Sequence, residues 1–206
     1  MTQPPPTPWD ADQPPRLPYF VLVAVLFEGG LIGVAVLLGW LLGHAPAPKI
    51  QWTLQGAAWG AAACLPPMAL LLVCVKLPLW PWAGVRRVIE KLLVPLFRDC
   101  NAVELAVISI LAGLGEEMLF RGVLQEAVAG WIGGQTGVWV GLALVSVLFG
   151  LAHLITPSYG VLAGLIGLYL GWLWIHTGNL LVPITTHAAY DFLALVYLTR
   201  RERGQA

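Results

Sequence analysis

Six long apolar stretches constrain this chain more than any other feature of its sequence. A membrane-spanning helix needs about 20 mostly apolar residues, and breaks rich in Gly, Pro and Asn separate the stretches. They cover residues 19–42, 52–75, 102–129, 136–154, 159–176 and 179–198. The pattern predicts an all-α polytopic membrane protein with about six transmembrane helices.

Composition supports the same class. Hydrophobic residues make up 58% of the 206 residues and charged residues 11%, whereas a soluble domain carries roughly a quarter charged residues. The net charge is zero, which excludes an electrostatic basis for binding nucleic acid. The three cysteines have no CxxC spacing, so neither a disulfide framework nor a thiolate zinc site is expected.

The segments outside the spans define the domain organisation. Residues 1–18 contain seven prolines and predict a disordered, Pro-rich cytoplasmic tail. Residues 19–199 form the transmembrane domain. Between the second and third spans, residues 83–98 alternate apolar and charged positions at helical spacing after Trp80 and Trp82, which predicts one interfacial amphipathic helix.

Basic residues outside the spans are unevenly distributed. With six spans and a cytoplasmic N-terminus, nine of them lie inside and one, Lys49, lies outside. The inside residues are Arg16, Lys76, Arg86, Arg87, Lys91, Arg98, Arg200, Arg201 and Arg203. By the positive-inside rule, both termini are expected in the cytoplasm, and the expected location is a bacterial inner membrane.

Several ionisable residues lie inside the apolar stretches, where they are costly and usually functional. Asn101 and Glu104 fit a capping box, and Glu126 and His176 lie near helix ends. Glu28 lies near mid-span, and the sequence identifies no partner for it. The remaining residues of this kind are Glu116, Glu117, Arg121, His153, His187 and Asp191.

The third stretch holds three of these residues in "GEEMLFR". Glu117 and Arg121 are four residues apart, with the acid N-terminal, which favours an ion pair on one helix face. Glu116 lies about 100° around the helix from Glu117, so the arginine leaves it free. His153, His187 and Asp191 come from two later spans, and helix lengths allow them to converge on Glu116 in a single cavity.

Three motifs resemble a known family. "EEMLFR", "FGLAH" and "HAAYD" are similar, in order, to the EExxxR, FxxxH and Hxxx(N/D) motifs of the CAAX-protease and bacteriocin-processing family of intramembrane endopeptidases. The resemblance covers roughly residues 100 to 195 and places the catalytic helices in 101–198. It implies a peptide or protein substrate in the bilayer, and leaves open whether that substrate carries a lipid.

The resemblance also implies residue roles. Glu116 and His153 would activate the attacking water, and His187 and Asp191 would stabilise the oxyanion, while Glu117, Arg121 and Phe149 support the site. Asp191 stands where the prenyl-protein enzymes have Asn, and an ionised Asp donates no hydrogen bond. Because Glu, two His and Asp are also a plausible zinc set, the sequence allows either no cofactor or Zn²⁺ bound by Glu116, His153, His187 and Asp191.

Two other functions fit the same buried residues. A proton-coupled transporter would use carboxylates and histidines as a relay, although no inverted repeat is apparent. A non-catalytic membrane scaffold or immunity protein would keep the fold and lose the chemistry. We expect an intramembrane endopeptidase, of the glutamate type or a metalloprotease, that cleaves a peptide bond near the membrane surface.

Overall fold

The computed structural model describes residues 19–77 and 82–203, and every regular element in these ranges is a helix. The Pro-rich tail and Trp80 lie outside the described residues. Five helices are long and apolar enough to cross a membrane. They are α1 (Phe20–Leu42), the pair α2 (Leu54–Ala63) and α3 (Leu65–Lys76), α8 (Gly134–Ala152), α9 (Pro157–Thr177) and α10 (Leu181–Arg203).

The third predicted span is the one that differs from these five. It consists of α6 (Ala102–Glu117), a π-helical segment (Met118–Gln125) and α7 (Glu126–Ile132) in one continuous helical path. The three ionisable residues near its middle lower its hydropathy, so length and apolarity alone identify five spans. The all-helical polytopic fold is confirmed, and the predicted number of about six is approximate.

Local sequence signals explain where the helices begin and end. The Asn101 side chain accepts from the amides of Val103 and Glu104, and the Glu104 carboxylate accepts from the Asn101 amide, so the predicted capping box is confirmed. Gly43 and Gly178 end α1 and α9 in the left-handed conformation, which glycine adopts without strain. The expected breaks therefore coincide with real helix ends.

The amphipathic segment between the second and third spans is also helical. It runs through α4 (Ala83–Val88), a π-helical turn (Ile89–Leu93) and α5 (Val94–Phe97). Val85, Val88 and Ile89 are buried, and Val85 and Ile89 pack in one core cluster with residues of α3, α9 and α10. Much of its apolar face therefore covers protein, and its contact with the membrane interface stays a prediction.

Close backbone contacts set the position of α6 in the bundle. A Cβ atom at Gly113 would lie 2.9 Å from the Ile184 carbonyl oxygen and 2.9 Å from the Ala188 amide nitrogen. A Cβ atom at Gly115 would lie 2.7 Å from the Glu28 carbonyl oxygen. Small residues at these positions allow α6 to touch both α10 and α1, directly beside Glu116.

The Gly113 contact predicts a stability effect. Gly113→Val should destabilise the protein by about 1–3 kcal/mol, because added methyl groups force α6 and α10 apart. His187 lies on α10, so any activity should fall as well. The measurement is the thermal midpoint in detergent. Gly33→Val is the matched control, since a Cβ at Gly33 meets nothing within 4 Å, and equal midpoints for the two variants would contradict the packing argument.

Candidate active site

A buried ion pair forms the centre of the site. The Arg121 Nη1 atom donates to Glu117 Oε1 at 2.7 Å, and the two side chains are 1% and 0% exposed. The second guanidinium nitrogen donates to the Gly167 carbonyl oxygen of α9 at 2.9 Å. The predicted Glu117–Arg121 pair is therefore confirmed, and it joins the third span to α9.

The same carboxylate holds one of the catalytic candidates. His187 Nδ1 lies 2.8 Å from Glu117 Oε1, and its Nε2 lies 3.3 Å from Asp191 Oδ2. The two contacts fix the ring in one orientation on α10. Because carboxylate oxygens accept hydrogen bonds, a ring N–H of His187 can donate toward Glu117 or toward Asp191.

Glu116 and His153 face each other across an open space. The distance from Glu116 Oε2 to His153 Nε2 is 3.8 Å, which is too long for a direct hydrogen bond. Glu116 is 8% exposed and its Oε2 atom has no partner. His153 follows the end of α8, and its Nδ1 lies 2.9 Å from the Phe149 carbonyl oxygen, so Nδ1 carries the proton and Nε2 presents its lone pair to the gap.

Phe149 joins these groups through its ring. It stacks on His153 with centroids 4.5 Å apart and meets His187 edge-on at 6.1 Å. The Arg121 guanidinium lies over the same ring at 4.4 Å, a cation–π contact. The supporting position that the resemblance implied for Phe149 agrees with these contacts.

The four catalytic candidates line one cavity of about 250 Å³. Three features of this wall were not predicted. Glu28 of α1 reaches the cavity, which gives this carboxylate a location, and Tyr159 and Tyr190 line it as well. Tyr190 precedes Asp191 inside the third motif, a signal that could have identified it. Tyr159 follows an ordinary helix start and gave no such signal.

Part of the cavity lining is apolar, and we call this part the apolar arm. It is contributed by α3, the helical segment 83–97 and α10. Because this wall is hydrocarbon, the arm suits an apolar group rather than a charged one. The residues lining the arm are Leu71, Val85, Ile89, Leu93, Phe97, Leu195 and Leu198.

The predicted outside lysine takes part in a second polar network. Lys49 Nζ donates to the Gly122 carbonyl oxygen in the π-helical segment at 2.6 Å and lies 3.7 Å from Glu126 Oε2. Trp174 Nε1 donates to the other oxygen of Glu126 at 2.9 Å. Burial lowers the pKa of Lys49, and Glu126 partly offsets this effect. Glu126 therefore has a structural explanation near a helix end, as expected.

The zinc set that the sequence allowed does not have metal-ligand geometry in the described part of the chain. Within residues 19–77 and 82–203, no group of three His, Cys, Asp or Glu side chains is placed to hold a metal ion. Both nitrogens of His187 already face carboxylates, and a zinc ligand must offer a free lone pair.

The three cysteines are buried free thiols and behave as small core residues. They are Cys64, Cys74 and Cys100.

The buried pair predicts a large effect on stability. Arg121→Leu should lower the free energy of unfolding by about 3–5 kcal/mol, because the Glu117 carboxylate would remain buried without its cation. Glu116→Gln should change stability much less, since Glu116 Oε2 has no partner to lose. The thermal midpoint of each purified variant checks this. Arg87→Leu, at an exposed position, is the control, and wild-type stability of Arg121→Leu would contradict the pairing.

Comparison with known proteins supports the resemblance. Residues 99–193 match the family model described as type II CAAX prenyl endopeptidase Rce1-like. No curated protein and no solved structure matches the chain significantly. The matched range includes all three motifs and the ionisable side chains of the cavity wall, except for Glu28. Residues 99–193, a little under half of the chain, are thus similar to the Rce1-like type II CAAX prenyl endopeptidase family.

Proposed function

We propose that this protein is an intramembrane endopeptidase in which Glu116 and His153 activate a water molecule. The observation that carries the proposal is the 3.8 Å gap between Glu116 Oε2 and His153 Nε2 at the wall of the cavity. A polar contact longer than about 3.5 Å is commonly bridged by water. Here one water can donate to both the carboxylate oxygen and the imidazole lone pair.

The chemistry follows from the proton positions. The His153 Nδ1–H is held by the Phe149 carbonyl, so Nε2 accepts one hydrogen of the water. Glu116 takes the other as general base while the water oxygen bonds to the scissile carbonyl carbon. Glu116 then returns this proton to the leaving nitrogen as the carbon–nitrogen bond breaks. The products are a carboxylic acid and an amine.

The oxyanion is assigned to the His187 side of the cavity. His187 is anchored through Nδ1 by Glu117, and its Nε2–H is a donor that can shift from Asp191 to the developing oxyanion. Preorganised donors of this kind stabilise the transition state strongly. Asp191 accepts a hydrogen bond in this scheme and orients His187. We propose this metal-free mechanism. Zinc catalysis is the alternative, and the Asp191→Asn variant tests it.

The substrate is proposed to be a membrane-associated peptide or protein. The apolar arm of the cavity would accept a hydrophobic segment or an attached lipid beside the scissile bond. It is lined in part by the helical segment 83–97, which carries three of the nine basic residues predicted to lie inside. This location supports cleavage at the cytoplasmic side of an inner membrane, with both termini in the cytoplasm.

Loss of the base tests the function. Glu116→Gln should reduce kcat by about 10²–10⁴-fold, because the amide cannot accept the proton of water. The assay is cleavage of membrane-derived peptides by the purified protein in lipid, with new N-termini identified by mass spectrometry. Glu90→Gln, the same change at an exposed position, is the control. Unchanged cleavage in Glu116→Gln would refute the mechanism. Proton-coupled flux without cleavage would favour a transporter. The absence of both flux and cleavage would favour a scaffold.

Asp191→Asn separates the two mechanisms. If Asp191 ligates zinc, the amide weakens metal binding, and activity and bound metal fall together. If Asp191 orients His187 without metal, activity falls and metal content is zero in both proteins. If the position serves the oxyanion directly, Asn supplies a donor, and activity holds or rises. Cleavage rate and zinc content are measured together, and one zinc per wild-type chain that is lost in the variant would overturn the metal-free proposal.

A further inference from the structure

Two polar side chains of the cavity have no role in the mechanism above. Glu28 Oε2 and Ser109 Oγ are both buried atoms without a hydrogen-bond partner, and both residues line the cavity. Ser109 is 1% exposed. Because buried polar groups are nearly always hydrogen-bonded, each unpartnered group suggests a partner that enters from the cavity.

Ser109 differs from other buried hydroxyls of the helices. Ser146, Thr186 and Thr199 each donate to the carbonyl oxygen one turn earlier, at 2.6, 2.8 and 2.8 Å. Such back-bonding is the ordinary way to satisfy a hydroxyl on an apolar helix. Ser109 makes no such bond, so its hydroxyl is free to donate to a molecule in the cavity.

Glu28 is placed beside the catalytic carboxylate by a tight helix contact. It is the only ionisable residue of α1. A Cβ atom added to Gly115 would lie only 2.7 Å from the Glu28 carbonyl oxygen. Gly115 directly precedes Glu116. A buried carboxylate oxygen without a donor lowers stability. An apolar residue at position 28 of α1 would avoid this cost.

The nearby imidazole nitrogens cannot supply the missing partner. The His153 Nδ1 proton is bound to Phe149, and both nitrogens of His187 face Glu117 and Asp191. An occupant that satisfies both groups would bring an N–H or O–H donor for Glu28 and an acceptor for Ser109. A peptide backbone offers both, and inside a membrane its polar groups have to be satisfied by protein.

The spacing along α6 fits an extended peptide. Ser109 and Glu116 are seven residues apart, on the same face and about 10.5 Å along the axis. An extended chain advances about 3.3 Å per residue, so roughly three residues connect a scissile bond at Glu116 to Ser109. We propose that Glu28 and Ser109 form a subsite for the substrate backbone, in which Glu28 accepts an N–H near the scissile bond and Ser109 donates to a carbonyl about three residues away.

This inference rests on the proposed peptidase function, and kinetics of a cleaved peptide test it. Ser109→Ala and Glu28→Leu should each raise KM roughly five- to tenfold, as for the loss of one hydrogen bond, with kcat changed less than twofold. Glu28→Gln keeps an acceptor oxygen and should recover most of the loss. Ser146→Ala is the matched control, because its hydroxyl is buried but bonded within its own helix.

A backbone-modified substrate makes the test specific. Methylating the peptide nitrogen that meets Glu28 should raise KM by a similar factor in the wild type and cause no further increase in Glu28→Leu. Thermal midpoints of Ser109→Ala and Glu28→Gln should equal or exceed that of the wild type, since the first change removes an unpartnered hydroxyl and the second removes the charge of a carboxylate with an unpartnered oxygen. A fall comparable to that of Arg121→Leu would show a structural role and overturn the subsite.

The remaining outcomes separate this inference from the function on which it rests. Continued cleavage with unchanged KM in Ser109→Ala and Glu28→Leu would refute the subsite and leave the peptidase intact. If the wild type cleaves no peptide, and the Glu116→Gln variant in lipid nanodiscs binds none, the proposed function fails and the subsite fails with it.

Discussion

The Glu117 carboxylate is the interaction on which the rest of the site depends. One of its oxygens accepts from Arg121 on its own helical path and from His187 on α10. Arg121 extends the connection to the Gly167 carbonyl on α9 and to the Phe149 ring on α8. Four helices are therefore held together by one buried charge pair, in an interior where an unpaired charge would cost several kcal/mol.

This pairing explains why two adjacent glutamates differ in role. Glu117 accepts two hydrogen bonds through Oε1, although its Oε2 has no partner, whereas Glu116 lines the cavity and its Oε2 has no partner. Glu117 is thus anchored by neighbouring helices, and Glu116 is available to a molecule in the cavity. The same reasoning applies to Ser109 and Glu28, whose unpartnered atoms lie on the same wall as Glu116.

The part of the chain outside the family match also shapes the site. Helix α1 contributes Glu28 to the cavity. The α1–α2 connection contributes Lys49, which binds the Gly122 carbonyl in the π-helical segment directly after Glu116 and Glu117. A π-helical turn is frequent at functional sites, and Lys49 stabilises this one from another part of the chain. Residues outside the family match therefore contribute to the surroundings of the candidate site.

The sequence by itself determined the all-helical membrane fold, the capping box at Asn101 and the Glu117–Arg121 pair, because hydropathy, capping and i,i+4 spacing are local properties. It could only permit the meeting of Glu116 with His153, since axial distances along separate helices leave tilt and rotation open. The tertiary structure decided that meeting through close contacts such as Gly113 against α10. It also decided the location of Glu28 and the orientation of His187 between two carboxylates, because these depend on which helices pack together, and spacing along one helix carries no record of its neighbours.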